Sequence, residues 1–189
     1  MKKTLLVSAS EQSAKALAQL LRQEGYPSVT TVYAACSARE RSEETAYDLI
    51  VINAPLIDEN GVKLAEHFAE TTRASVVVIA PQKNADELSD LLNSRGVMVI
   101  AKPVNKHLFH HYLLFSDCFR SRLLRVEQEN ERLRHMVEDL KIIDRAKLLL
   151  VTCLNMSEEQ AHRYLEKQAM DLRTTRLAVA KQVIQTYEN

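Results

Sequence analysis

Glycine and proline are scarce in this chain, three and four among 189 residues. So few turn-formers argue against an all-β fold, while plentiful Ala, Leu and Glu favour helix. Cysteine is scarce too. Cys36, Cys118 and Cys153 are odd in number and form no CxxC pair, which argues against a disulfide framework or thiolate zinc site and for free thiols in a reducing compartment. Neither charge is in excess: 25 Lys and Arg balance 25 Asp and Glu, so any basic function must be local. A long apolar run is also missing. The opening MKKTLLVSASEQ imitates a signal peptide, but its apolar stretch stops at Val7, too short for one, and no later span suits a bilayer. The expected location is cytoplasmic, with no membrane partner. The length suits one ordinary domain plus an appendage.

What is present is alternation. Thr4–Val7, Val29–Ala34, Leu49–Ile52, Val76–Ala80 and Val97–Ala101 are short runs rich in Val and Ile, and the last three are nearly unbroken, as strands buried on both faces should be. Between them lie helical stripes: Leu17, Leu20 and Leu21; Leu64, Ala65 and Phe68; Leu88, Leu91 and Leu92. The pattern predicts an α/β fold, a doubly wound five-stranded parallel sheet with right-handed crossovers. Sites in such sheets form beyond the carboxyl ends of the strands.

Two segments there, Tyr47–Gly61 and Ile100–Val104, resemble the response-regulator receiver domain, and the resemblance covers roughly Met1 to Phe115. That family places a phosphoacceptor aspartate at the end of the third strand, a glycine eight residues on, and Lys-Pro after the fifth. Here Gly61 and Lys102-Pro103 are in register, but the aspartate's position holds Asn53. The acids expected after the first strand are replaced by Ser8 and Ala9, with Glu11 the nearest acid, and the hydroxyl residue expected after the fourth strand by Ala80. A carboxamide cannot form an acyl phosphate, and Mg²⁺ asks for several hard oxygens. The resemblance implies a degenerate receiver that takes no phosphate or metal. Asn53 also suits a simple polar strand-end residue.

From Asn105 to Ala146 there is no Gly or Pro, which predicts one long helix. Its second half carries heptads with Leu123, Asn130 and Val137 at a, and Phe119, Val126, Leu133 and Leu140 at d. One Asn at an a position is a device for two-stranded, in-register, parallel pairing. The charges agree, Arg122 facing Glu127 and Glu129 facing Arg134 of a second copy. Leu123, Val126, Asn130, Leu133, Val137 and Leu140 are the expected dimerisation stripe of a homodimer. The same stripe also suits a single helix folded back on the first domain. The start of the helix (Leu108, Tyr112, Leu113, Phe115) is expected to pack on that domain and to extend the dimer contact.

After Leu140 the stripe changes. Three short amphipathic helices fit the tail: one around Ile143, Ala146, Leu149 and Leu150; one capped by Ser157, with Gln160 completing a capping box, along Ala161, Leu165, Gln168, Ala169 and Leu172; and one capped by Thr174 or Thr175, along Leu177, Ala180, Ile184 and Tyr187. Together they predict a small three-helix bundle. Expected boundaries are 1–115 for the receiver-like domain, 116–141 for the coil and 142–189 for the bundle.

Ala146-Lys147, Ser157-Glu158-Glu159 with Ala161, Leu165 and Ala169-Met170, then Val179-Ala180 and Val183-Ile184, resemble the ANTAR domain, the RNA-binding module of bacterial transcription antitermination regulators. The resemblance covers about Ile143 to Tyr187. It implies binding of paired hairpins in a nascent leader RNA, which keeps the competing terminator from forming. Cations would supply salt-sensitive affinity, and unpaired loop bases the sequence readout. The candidate RNA contacts are Lys147, Arg163, Lys167, Arg173 and Arg176. Glu159 is spaced to pair with Arg163, so a surface ion pair competes with that role. Tyr164 and His162 are candidate base-stackers, with a core edge the rival place for Tyr164.

No enzyme constellation, cofactor motif or metal set is read in the chain; His107, His110 and His111 suit a polar helix face. A regulatory protein or ligand is a possible partner of the degenerate receiver. The rival function is a protein–protein adaptor of a two-component pathway, whose receiver dimerises and whose C-terminal helices bind a protein.

Overall fold

The computed structural model describes residues 2–188. The chain forms two compact units, residues 1–123 and 124–189. The first begins with five β–α alternations. Strands β1 (Lys3–Ser8), β2 (Ser28–Val32), β3 (Leu49–Asn53), β4 (Ser75–Pro81) and β5 (Met98–Lys102) are all parallel, in the order β2-β1-β3-β4-β5. Helices α1 (Glu11–Gln23), α2 (Ala35–Glu44), α3 (Val62–Thr71) and α4 (Gln82–Asn93) intervene, and α5 (Lys106–Leu154) follows. The fold class expected from the apolar runs is the one observed.

Strand alternation builds two cores. Leu5, Val7, Ile50, Ile52, Val76 and Val78 face a layer containing Ala35, Ala38, Leu64, Phe68 and Leu92 of α2, α3 and α4. Leu6, Leu49, Val51, Val77 and Ile79 face the other layer, with Leu17 and Leu21 of α1 and Phe109 and Leu113 of α5. β3 is buried along its whole length.

The first third of α5 is tied to the end of α1 and to the residues just before β1 and β3. Asp117 pairs with Lys2 at 2.6 Å, Arg120 with Asp48, His110 with Glu24, and the Lys106 ammonium donates to Gln23 at 3.1 Å. Tyr112 and Leu113 pack on the core as expected, whereas Leu108 and Phe115 are exposed.

α5 has 49 residues. The tail's expected first helix is its last part, not a separate element. The apolar stripe changes face near Leu140, but with no Gly, Pro or competing cap the backbone hydrogen bonding simply continues. It stops at Asn155, which takes φ 52°. α6 (Glu158–Asp171) starts with the expected capping box, the Ser157 hydroxyl accepting from the Gln160 amide at 3.2 Å while the Ser157 amide donates to the Gln160 side chain at 2.8 Å. α7 (Arg176–Tyr187) is capped by Thr175. Ala146, Leu150, Ala161, Leu165, Ala169, Val179, Ala180 and Val183 form the bundle core. The expected α7 stripe held in part: Ala180 is buried and Ile184 packs half-buried against the core, but Val179 and Val183 are buried as well, while Tyr187 is exposed and Leu177 only half-buried. Leu172 is also exposed, beyond the last turn of α6. Among the described residues, no helix is long and apolar enough to cross a membrane.

Candidate functional site

The carboxyl ends of the strands bring together the residues that sequence reasoning singled out in the first unit. Ser8 and Asn53 are register partners at the ends of β1 and β3, and Ala80 and Lys102 lie at the ends of β4 and β5. Asn53 and Ser8 are buried; the Asn53 amide donates to the Ser8 hydroxyl at 2.9 Å, and Ser8 donates to the Ser10 carbonyl at 3.3 Å. Lys102 reaches across to the Ala54 carbonyl at 2.7 Å. Burial pushes its ammonium below the usual lysine range. Ala80 contributes only a buried methyl, and Ala9 is half-buried without a polar side chain. Glu11, the nearest acid in sequence, pairs instead with Lys15 at 2.8 Å on the surface of α1.

This donor set does not fit Mg²⁺, which requires a group of hard oxygens with carboxylates among them. The side-chain groups at these strand ends are a hydroxyl, a carboxamide and an ammonium, and each already has a partner within the chain.

The loop after β3 is pinned. Asp58 accepts from the backbone amides of Ala35 at 2.9 Å and Cys36 at 3.1 Å. It thereby caps α2, whose own N-cap residue, Ala34, offers no side-chain bond. The Ala35 amide, foremost among these donors, holds the Asp58 carboxyl below the usual aspartate range. Arg39 adds an ion pair to Glu59 at 3.0 Å. Gly61 closes the loop with φ 86°, where a Cβ would lie 3.1 Å from Ile52 Cγ2 and 3.3 Å from Ala54 Cβ. Sequence reasoning missed Asp58; the signal was a helix starting Ala34-Ala35 with no local cap.

On α5, Leu123, Val126, Leu133, Val137 and Leu140 are all exposed large apolar residues, and Asn130 lies exposed among them. Within the single chain, Glu129 pairs with Arg132 at 2.7 Å.

In the second unit, the candidate cations divide. Lys147 is largely covered, held by Asp144 at 2.8 Å and Glu158 at 3.5 Å, and Asp144 above all raises its pKa. It links α5 to the start of α6. Arg163 pairs with Glu159 at 2.6 Å, and Arg176 with Glu166 at 3.3 Å. Arg145 grips Glu188 through two bonds of 2.5 and 2.6 Å. Lys167 and Arg173 are exposed and have no ion pair with any described residue; the same holds for Lys181, which sequence reasoning did not single out. Its signal was legible, since no acid lies three or four positions away on α7. Arg173 takes φ 49° in the turn between α6 and α7, beside the exposed Met170 and Leu172. Tyr164 packs against the bundle core.

The response regulator receiver domain family matches residues 4–113. The chain belongs to that family. Its solved relatives include the signal receiver domain of a putative Luxo repressor protein from Vibrio parahaemolyticus, 21% identical with a TM-score of 0.59, over 67% of this chain and 97% of that one. A receiver domain protein from Methanospirillum hungatei JF-1 is 20% identical with a TM-score of 0.57, over 65% of this chain and 98% of that one. The ANTAR domain family matches residues 131–184, starting inside α5. Over 171 residues the chain is 29% identical to the transcriptional regulatory protein PdtaR of Mycobacterium tuberculosis, covering 90% of this chain and 83% of that protein. It is 25% identical over 116 residues to the aliphatic amidase regulator of Pseudomonas aeruginosa, covering 61% of this chain and 59% of that protein. It is thus a receiver joined to an ANTAR domain, homologous to a transcriptional regulator.

Proposed function

We propose that this chain is a cytoplasmic transcription antitermination regulator that binds paired hairpins in nascent leader RNA through its ANTAR domain. It acts by binding and carries out no reaction. The observation that carries the reading is the split among the bundle's cations: Lys167, Arg173 and Lys181 remain exposed and unpaired with described residues, while Arg145 and Lys147 hold the helices together. Free cations can neutralise phosphates without first breaking a bond in the protein. Arg163 and Arg176 join them at small cost, because exposed ion pairs contribute at most about 1 kcal/mol. Lys147 serves as a brace that positions α6.

The functional unit is a parallel homodimer. The exposed stripe from Leu123 to Leu140 covers itself against a second copy, with Asn130 selecting register. Two modules on one rod then engage two hairpins at high effective concentration. On this reading, residues 1–115 form a pseudo-receiver, 116–141 the coil and 142–189 the RNA-binding module. Asn53, Ser8, Ala9, Ala80 and Lys102 mark the lost phosphoacceptor site, so input comes from a bound ligand or partner.

One pair of experiments tests this. The full chain is titrated with a leader RNA carrying two hairpins and with the same RNA after its loops are scrambled; tighter binding to the intact loops is expected, and equal or absent binding overturns the reading. Intact mass after acetyl phosphate and Mg²⁺ should show no added phosphoryl group. The exposed Met170 and Leu172 favour a second reading, a protein-binding surface on the bundle. Equal binding to both RNAs is the outcome that would promote it.

A further inference from the structure

The outward face of α6 carries an arrangement that packing within the bundle does not require. At about 100° per residue, Arg163, Lys167 and Met170 fall within about 60° of one another around the helix. They lie opposite Ala161, Leu165 and Ala169, which face the bundle core. Met170 is 73% exposed, the most exposed large apolar side chain among the described residues. Leu172, the other exposed apolar residue at this end, falls on nearly the opposite side of the helix axis, so the two do not merge into one patch. A protein partner asks for a contiguous apolar centre depleted of charge. A single apolar side chain among cations matches something smaller, one flat ring carried on a polyanion.

The charges around Met170 agree. Lys167 is exposed and has no ion pair with a described residue. Arg163 holds only the exposed Glu159, a contact given up at small cost. Glu166, one turn before Met170, is occupied by Arg176 at 3.3 Å and His162 at 3.2 Å, and Asp171 points about 100° away round the helix. Just past Met170 the helix closes with two crossed bonds: the Arg173 amide donates to the Met170 carbonyl at 3.1 Å, and the Thr174 amide to the Ala169 carbonyl at 2.9 Å. Glycine is the usual residue at the left-handed position of such an ending. Here it is Arg173, with φ 49°, which places a third cation beside Met170 at a backbone position that a side chain makes less favourable.

We propose that Met170 is the platform on which one unpaired loop base of each RNA hairpin rests, with Lys167 and Arg173 holding the phosphates on either side of that base. This rests on the RNA-binding reading above and deepens it. The thioether is polarizable and flexible, and it makes favourable contacts with aromatic rings. It therefore accepts any base that is free to leave its stack. Stem bases are held in stacks and pairs, so the platform separates loop from stem, while base identity is read by hydrogen bonds elsewhere. Met170 contributes to loop selectivity, and the cations contribute the salt-sensitive affinity.

The probe is the two-hairpin leader RNA, with copies in which the same loop nucleotide of both hairpins is made abasic, one position at a time; each copy loses a base and keeps its phosphate. In the full chain, Met170→Ala should weaken binding to the intact RNA about tenfold, the order of one stacked base. The slope of log K against log salt should not change, because no phosphate contact is lost. The melting temperature should not change either, since the side chain is exposed and Ala suits a helix. At one loop position the abasic RNA should cost the native chain the same factor and cost Met170→Ala nothing more. Met170→Leu should restore most of the affinity. Arg173→Gly should lower the salt slope by about one while the melting temperature holds or rises, because glycine suits the left-handed position. If Met170→Ala binds the intact RNA as the native chain does, or if its loss persists in full on every abasic RNA, the platform is overturned and antitermination stands. A loss that comes with a lower melting temperature and is not restored by leucine also overturns it, as a structural role. A chain that fails to distinguish intact from scrambled loops overturns the RNA reading itself, a result separable from the others because it appears before any variant is made.

Discussion

The two ends of this protein treat their polar groups in opposite ways. At the carboxyl ends of the sheet, where relatives of this fold place their chemistry, Asn53 is spent on Ser8 and Lys102 on the Ala54 carbonyl. In the bundle, Lys167, Arg173 and Lys181 stay exposed and unpaired with any described residue. The first arrangement is closed and self-satisfied; the second is open. Groups already satisfied at short distance must break a bond before meeting a ligand, and groups in water need only shed solvent and counterions. The difference teaches where to look for function, and it can be broken experimentally.

The largest effect is expected on the rod that doubles the open end. Leu133→Asp places a charge at a d position, and the dimer dissociation constant measured by sedimentation should rise at least about 100-fold, the order of one core apolar side chain lost plus a charge desolvated. Affinity for a two-hairpin RNA should fall with it, while a single hairpin is bound as before. Next come the cations. Lys167→Ala and Arg173→Ala should each weaken RNA binding about tenfold and lower the slope of log K against log salt by about one. Lys147→Ala should leave that slope unchanged and lower the melting temperature of the bundle, because its partners are Asp144 and Glu158. A Lys147 variant that changed the slope would move this residue from the closed class to the open one.

Two smaller effects sharpen the closed end. Gly61→Ala strains a left-handed residue and drives a methyl to 3.1 Å from Ile52; urea unfolding should show a loss of about 1–3 kcal/mol with RNA affinity retained. Asp58→Asn weakens the cap on α2 by about 1 kcal/mol at neutral pH. The Asp58 carboxyl is held below its ordinary range, so its contribution is present above the unfolded aspartate pKa and is lost as pH falls through the folded one. The stability gap between Asp58→Asn and the native chain should therefore close in acid.

Much of this was legible in the residues. Runs such as Leu49–Ile52 and Val76–Ala80 read as strands because burial on both faces leaves no room for polar alternation. Ser157 and Gln160 announced the start of α6 because a capping box is a local bond pair. α2 was harder: it buries only Ala35 and Ala38 and borrows its cap from Asp58, 23 positions away from Ala35. The face of α7 was read only in part, correctly at Ala180, because Leu177, Val179, Val183 and Ile184 support two stripes, and packing brought Val179 and Val183 into the core as well. The long helix was read as far as Ala146, but its run on to Leu154 was not, because a change of apolar face looks like a new helix, whereas only a backbone breaker ends one. At the candidate sites, Asn53 and Lys102 were placed by motif spacing, and the Glu159–Arg163 pair by helical spacing. The partner of Lys147 in the next helix, Glu158, became visible only when the chain folded.

The most direct test of the contrast between the closed and open ends is the salt dependence of the full chain's affinity for a two-hairpin leader RNA, measured with and without acetyl phosphate and Mg²⁺. The account predicts a steep fall of log K with log salt, and two superimposable lines. A flat line, or a line displaced by acetyl phosphate, would contradict it.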